Sequence, residues 1–399
     1  MTKKNMQKRA NAVIASTYAR YDLTLVKGEG AYLWDDQGKR YTDFVAGIAV
    51  CSLGHSHPAL AKALSEQAER LVHVSNLFYT EPQVRLAEWL VERSFADKVF
   101  FCNSGAEANE AAIKLARRYG HQHKGPECHH IVTMEQSFHG RTMATLTATG
   151  QEKIKEGFAP ILPGFTHVPY GDFEALKGAV TENTCAIMLE PLQGEGGVKL
   201  PPEGFLEKLR NFCDERGILL IFDEVQTGIG RTGKLFAYEH STIAPDIMSL
   251  AKALGNGLPI GAMLARDAVM ASFTPGSHAS TFGGTPLMTA GALAMMEALE
   301  KEKLVERCAT MGAYFREKLS TLKRHPVVQE VRGLGLLIGL DLSCDGVPFV
   351  KKMMEKGFII NCVQGHILRF VPPFVIEKND IDAVVAALDE LLEKEGKAL

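Results

Sequence analysis

The sequence predicts an α/β fold: a large, mostly parallel sheet flanked by helices, followed by a smaller α+β domain. Three observations carry this. From about residue 98 to residue 264, short apolar runs alternate with helical spans, the pattern of strand–helix–strand units that build a parallel sheet. Runs such as Ile218-Leu219-Leu220-Ile221-Phe222 are continuously apolar, as in strands covered on both faces. After about residue 300 the alternation gives way to several short strands and a long terminal helix.

Taken in order, residues 10–20 have a helical pattern. Thr24–Lys27, Ala31–Trp34 and Arg40–Phe44 read as strands, the last two joined by the turn Asp35-Asp36-Gln37-Gly38, so a small antiparallel element opens the chain. Pro58 starts a helix that runs to about Leu71. Val99–Cys102 is the first strand of the alternating region, and a helix from Ser104 to Gly120 follows. Strands at Ile131–Met134, Cys185–Glu190, Ile218–Phe222, Ile247–Leu250 and Ile260–Leu264 complete that region. Val328–Val331, Leu336–Leu342, Phe358–Ile360 and Ile367–Phe370 are the later strands, with helices at Val347–Lys356 and Asp380–Lys394. The expected division is residues 1–50 as an N-terminal segment of the small domain, 51–300 as the large domain, and 301–399 as the rest of the small one.

The 399 residues carry a formal net charge of −3, with 46 % hydrophobic and 23 % charged residues. That composition suits a soluble globular protein and leaves no electrostatic footprint for nucleic acid or an anionic membrane. The uncharged stretch 268–296 is broken by Pro275, Gly276, Gly283, Gly284 and Pro286, so it reads as a loop and a packed helix rather than a membrane span. The eight cysteines include no CxxC pair and read as reduced thiols. No apolar segment of signal-peptide length follows the basic N-terminus, so a cytoplasmic location is expected. His55 with His57, and the cluster between His121 and His130, match no metal-ligand spacing; no metal is expected.

Strand ends are where α/β sheets place chemistry. The run ending at Phe222 delivers Asp223, and the next strand delivers Lys252. Alone, either is as well explained as a turn cap or a surface lysine. Together they suit pyridoxal phosphate, which needs an amine for its aldehyde and an acid at its ring nitrogen. Ser104-Gly105-Ala106-Glu107 starts a helix after a strand, which is both a capping box and a place for a phosphate. Phe138, beyond the next strand, can stack on a flat ring, and Arg141 can fork onto a carboxylate. Glu190 and Arg369 sit at further strand ends. Gly228-Ile229-Gly230-Arg231-Thr232-Gly233 fits GxGxxG, yet no clear helix begins there and no acid lies near position 253, so a nicotinamide dehydrogenase is the weaker reading.

Asp223-Glu224-Val225-Gln226-Thr227-Gly228 through Gly233, with Pro245-Asp246-Ile247 and Ala251-Lys252, resembles the signature of class III PLP-dependent aminotransferases. Asn103-Ser104-Gly105-Ala106-Glu107-Ala108-Asn109-Glu110, Ser137-Phe138-His139-Gly140-Arg141 and Ser280-Thr281-Phe282-Gly283-Gly284 are similar to the same family. Within it, the compact length, Phe44–Val50, Leu53-Gly54-His55 and Ser75–Tyr79 are most like the acetylornithine aminotransferases. The likeness implies a fold type I homodimer with an active site shared between subunits. It implies that Lys252 bonds the cofactor and shuttles a proton, that Asp223 pairs with the ring nitrogen, and that Gln226 meets the ring hydroxyl. Ser104, Gly105 and Ala106 would cradle the phosphate, Phe138 would stack on the ring, and Thr281 would reach the partner subunit's phosphate. Ser280, Arg141 and Arg369 would bind substrate, and Glu190 would mask Arg369 in one half-reaction. The implied substrates are N2-acetylornithine, 2-oxoglutarate and glutamate; ornithine, succinylornithine, 4-aminobutyrate and succinyl-diaminopimelate, or an aminomutase reaction, keep the same site. Cys51, Ser52 and Thr285 depart from common family residues, the first two close to the expected substrate side.

Overall fold

The computed structural model describes residues 3–395. Its first helix is Lys3–Val13, ahead of the expected 10–20 span. Strands β1 (Leu25–Glu29), β2 (Tyr32–Asp35) and β3 (Arg40–Asp43) form the antiparallel meander. Helices Pro58–Arg70 and Glu81–Glu92 follow, each with proline in its first turn, where a missing N–H costs nothing.

The large sheet is built from β4 (Lys98–Cys102), β5 (His130–Met134), β6 (Phe165–Val168), β7 (Thr184–Leu189), β8 (Leu219–Asp223), β9 (Ile247–Leu250) and β10 (Gly261–Ala265). Their spatial order is β4-β10-β9-β8-β7-β5-β6. All pairs are parallel except those of β10, which runs antiparallel to both β4 and β9. Every residue of β7, β8 and β9 is buried, as the continuous apolar runs predicted. The short strand β6, Phe165-Thr166-His167-Val168, has no such run and went unpredicted. The helix after β4 runs Gly105–Lys124, four residues past the expected stop at Gly120. Gly120 is buried inside that helix, and a Cβ there would lie 2.4 Å from the Cys128 carbonyl and 2.6 Å from the Cys185 Cβ. The residue is glycine for packing, not for termination. His121, His123 and Lys124 thus lie in the last helical turn, where positive charge favours the dipole. Among the described residues, no three His, Cys, Asp or Glu side chains gather as metal ligands would. None of the described helices is long and apolar enough to cross a membrane. The uncharged stretch ends in the helix Pro286–Lys301.

The remaining strands are β11 (Val328–Leu334), β12 (Leu337–Leu342), β13 (Phe358–Ile359), β14 (Asn361–Val363) and β15 (Ile367–Phe370). Four of them form a sheet in the order β11-β12-β15-β14, while β13 joins β3 in parallel and ties the late chain to the meander. The last helix is Lys378–Glu395.

The loop after β8 meets this late sheet through Arg231, which is fully buried. Its guanidinium donates to the carbonyls of Leu336 (3.0 Å) and Pro372 (2.6 Å) and to Ser52 Oγ (3.0 Å), and lies over the Phe374 ring. Burial pulls its pKa down to about 10. The GxGxxG stretch therefore carries a strut, with Gly230 and Gly233 at positive φ on either side; no helix begins at Gly233. Arg231→Ala strands three buried acceptors and leaves a cavity. It should lower the unfolding free energy by about 3–5 kcal/mol, measured by urea denaturation of the purified protein.

Candidate active site

The parallel pairing of β8 with β9 sets Asp223 opposite Ser249 and brings Lys252 round just beyond β9. A cavity of 490 Å³ opens at these strand ends. Asn103, Ser104, Gly105, Ala106, Phe138, Arg141, Glu190, Glu195, Asp223, Gln226 and Lys252 all line it. Residues from five separate chain segments thus meet at the carboxyl edge of the sheet.

Asp223 is 3 % exposed and fully hydrogen-bonded. Its Oδ2 accepts from His139 Nδ1 (2.7 Å) and Asn109 Nδ2 (2.7 Å), and its Oδ1 from the Val225 amide (3.0 Å). Ser249 Oγ in turn donates to Asn109 Oδ1 (2.5 Å). These donors fix the plane of the carboxylate. Lys252 has φ +45°, a left-handed backbone that few side chains adopt and that clusters at functional sites. Burial holds the Lys252 ammonium below its usual pKa; the Glu195, Asp223 and Glu190 carboxylates oppose that shift and Arg369 adds to it. A lysine poised in this way has a larger neutral fraction, as a nucleophile or base requires.

At the other end of the cavity, Ser104 caps the helix: its Oγ accepts from the Glu107 amide (3.2 Å), while Glu107 Oε2 accepts from the Asn103 amide (2.5 Å). Ser104 caps the helix as expected, but Glu107 reaches past it to Asn103, so the reciprocal arm of a capping box is not formed; the Gly105 and Ala106 amides, which have no intrahelical acceptor, are left for an anion. A Cβ on Gly105 would lie 2.6 Å from Val225 Cγ1, so glycine lets the helix start and the loop after β8 close on one another. An anion cradle, an aromatic wall at Phe138, a buried acid and a depressed lysine fit pyridoxal phosphate at its phosphate, ring face, ring nitrogen and aldehyde. The Aminotransferase class-III family model matches residues 13–392.

The chain belongs to the class-III aminotransferases. The acetylornithine aminotransferase of Caldanaerobacter subterraneus subsp. tengcongensis is 52 % identical over 96 % of this chain and 97 % of that protein. The acetylornithine aminotransferase of Gloeobacter violaceus is 53 % identical over 94 % of each. A Toxoplasma gondii ornithine aminotransferase structure, which shows partial occupancy of PLP at its active site, superposes with a TM-score of 0.95 at 34 % identity, covering 99 % of this chain and 96 % of that one. The enzyme is a fold type I aminotransferase and its cofactor is pyridoxal phosphate.

Within this class-III enzyme several expected residues stand elsewhere than the sequence suggested. Glu190 does not pair with Arg369. Its carboxylate is turned back onto the amides of Phe138 (3.2 Å) and Gly194 (3.1 Å). Arg369, fully buried, bonds Glu195 Oε1 (2.5 Å) and Gln226 Oε1 (3.2 Å) instead. Burial alone would raise the Glu195 carboxyl, but Arg369 and Lys252, with the hydrogen bonds from Arg369 and Gln226, bring it below its usual value. Glu195 was missed; its signal was an acid between Gly194 and Gly196, just past a strand end. His139 and Asn109 lie within the family motifs, and their part in holding Asp223 shows only in the structure. Arg141 is exposed at the rim, over the Phe138 ring. Ser280 accepts from Asn103 Nδ2 (3.3 Å) without lining the cavity, and Thr281 is exposed and away from it. Ser52 faces Arg231 rather than the substrate side, and Val50 lines the cavity in this segment. Thr285 stands just before the helix at Pro286.

Two outcomes follow. Gly105→Ala should weaken cofactor binding by at least about tenfold through the Val225 clash, and Val225→Ala in the same chain should restore most of it, both read by fluorescence titration of the apoenzyme. Glu224 is buried and accepts from the amides of Ala237 and Tyr238 and from Thr227 Oγ1, and burial raises its pKa to about 7. A raised carboxyl stabilises the fold below its unfolded pKa and loses that contribution as pH rises through about 7. From pH 5 to 8 the wild type should therefore lose about 2–3 kcal/mol relative to Glu224→Gln, seen in paired urea titrations.

Proposed function

We propose that this enzyme transfers the terminal amino group of N2-acetylornithine to 2-oxoglutarate, giving N-acetylglutamate semialdehyde and glutamate in two half-reactions, a step of arginine biosynthesis. The observation that carries it is the Glu195–Arg369 pair beside Gln226 and Lys252. N2-acetylornithine presents no carboxylate next to its reacting carbon; 2-oxoglutarate does. A buried arginine already neutralised by a carboxylate leaves room for the first, and released from it binds the second. The curated relatives named above, at 52–53 % identity, support the acylated amine over free ornithine, the substrate in the name of the structural neighbour at 34 %.

When bound, the cofactor supplies an aldehyde for the amino group and a cationic ring that withdraws electrons. The protein's residues do the rest. Lys252 Nζ would hold the cofactor, then take the proton from the amine-bearing carbon and deliver it to the carbon that had been the aldehyde. Asp223, oriented by His139 and Asn109, would hold the proton at the ring nitrogen. Gly105 and Ala106 bind phosphate, Phe138 covers the ring and Gln226 meets its hydroxyl. Arg141, free at the rim, takes the distant carboxylate of either substrate. Residues 51–300 form the cofactor-holding domain, and 1–50 with 301–399 the smaller one.

The active site is completed by a second copy of the chain. Leu77, Phe78, Tyr79 and Phe282 expose large apolar surfaces, Tyr79 at 99 %, which suits an interface. Thr281 is exposed beside Phe282 and does not line its own chain's cavity, so its place is to reach a neighbour's phosphate. Ser280, held by Asn103, stands next to it and would meet substrate in the completed site.

Mixing the pure enzyme with single amines tests the substrate. Loss of the visible cofactor band should be at least about tenfold faster (per kcat/KM) with N2-acetylornithine than with ornithine or 4-aminobutyrate; equal rates would remove the assignment. Neither Lys252→Ala nor Thr281→Ala homodimers should show full turnover. If Thr281 acts across the interface, mixed dimers of the two should regain one intact site and roughly a quarter to a half of wild-type activity per dimer.

A further inference from the structure

Glu190 directly follows β7 with its carboxyl buried at 5 % exposure, and it forms no ion pair among the described residues. Its two oxygens are used separately. Oε2 accepts from the Phe138 amide, on the loop after β5, and Oε1 from the Gly194 amide, in the turn after β7. The Tyr170 hydroxyl pins the same strand end from the β6 side by donating to the carbonyls of Glu190 and Pro191. One amide thus belongs to the residue that covers the ring face, the other to the neighbour of Glu195. Gly194 has no slack: a Cβ there would lie 2.1 Å from Gln226 Oε1, the atom that accepts from Arg369. A shift at Gly194 therefore reaches Gln226, Glu195 and Arg369 together.

We infer that Glu190 is a positioning residue, a two-armed clamp that locks the ring-facing loop to the turn carrying Glu195 and so sets how firmly Arg369 is masked. Only an ionised carboxylate can serve both arms. It offers strong acceptors at both oxygens, whereas a glutamine turns a donor toward one of the two amides and a protonated acid leaves only a weak hydroxyl acceptor there. Burial raises the Glu190 carboxyl to about 7, with Asp223 of β8 adding to the shift and His139, beyond β5, and the two bound amides opposing it. Lys252, beyond β9, and Tyr170, beyond β6, also face it. The clamp accordingly loosens as pH falls through that range. The inference rests on the aminotransferase reading for its kinetic consequence and on geometry alone for the clamp.

Residue-resolved hydrogen exchange on the holoenzyme tests the clamp. In Glu190→Gln at least one of the Phe138 and Gly194 amides should exchange about tenfold faster or more, and in Glu190→Ala both, with β5 and β7 unchanged. Unaltered protection at both amides in Glu190→Gln, which conserves size and needs no refolding of the site, overturns it. The kinetic arm compares half-reactions with glutamate and N2-acetylornithine. Their kcat/KM ratio should shift by about tenfold toward glutamate in Glu190→Gln, and an inflection near pH 7 in the wild-type amine half-reaction should vanish. Faster exchange with an unmoved ratio and pH profile would reduce Glu190 to a structural support and overturn the positioning role. If N2-acetylornithine fails with the wild type, the substrate assignment falls, while exchange and the glutamate pH profile still decide the clamp.

Discussion

Everything at this site depends on holding one buried carboxylate in a fixed place and direction. Asp223 sits at the end of a strand buried on both faces, where an isolated anion would take up a proton rather than stay ionised. Among the described residues, no arginine or lysine pairs with it directly. Instead a backbone amide, an asparagine and a histidine donate to its two oxygens, and Ser249 orients the asparagine. Hydrogen bonds from four chain segments thus fix the direction of the carboxylate.

The same economy of charge extends outward from Asp223. Lys252 is held below its ordinary basicity by burial and by Arg369, while Glu195 brings it part of the way back. Arg369 is in turn matched by Glu195, and Gln226 links that pair to the loop that begins at Asp223. Charge state at one position is therefore felt at the next through distances of a few ångströms in a low-dielectric pocket. A reaction that alternates between two substrates of different charge needs this coupling, because one arginine must be available in one half and unavailable in the other.

The sequence revealed what depends on strand ends and helix starts. Asp223, Lys252, Gly105 and Phe138 each follow a recognisable element, and the buried strands around them are continuous apolar runs; that is why these four fall together in the structure as expected. What depended on side-chain direction was not legible. Glu190 and Glu195 are both acids after β7, and nothing in their spacing says which turns toward Arg369. The strand-end residue faces back onto two amides, and the one in the glycine-rich turn reaches across. Gly120 shows the same limit in another form: a glycine inside a helix reads as its end unless one knows that Cys128 and Cys185 lie against it. Ser52 was placed near the substrate by its position in the chain, whereas the neighbouring loop carries an arginine that claims it.

These misplacements share a cause that bears on how the fold supports chemistry. Arg231 and Arg369 are both completely buried, yet they solve the cost of burial differently. Arg231 spreads its donors over two carbonyls and a hydroxyl, with no carboxylate in reach of a hydrogen bond, so its partners cannot leave without unfolding the joint between loop and late sheet. Arg369 leans on a carboxylate from a glycine-flanked turn, a partner that can move without disturbing a strand. Buried guanidinium groups satisfied by backbone are built to stay; one satisfied by a side-chain carboxylate can be exchanged for a substrate carboxylate of the same shape when that side chain rotates away. The distinction between strut and receptor is thus written in who accepts the hydrogen bonds, and Glu195 makes Arg369 the receptor.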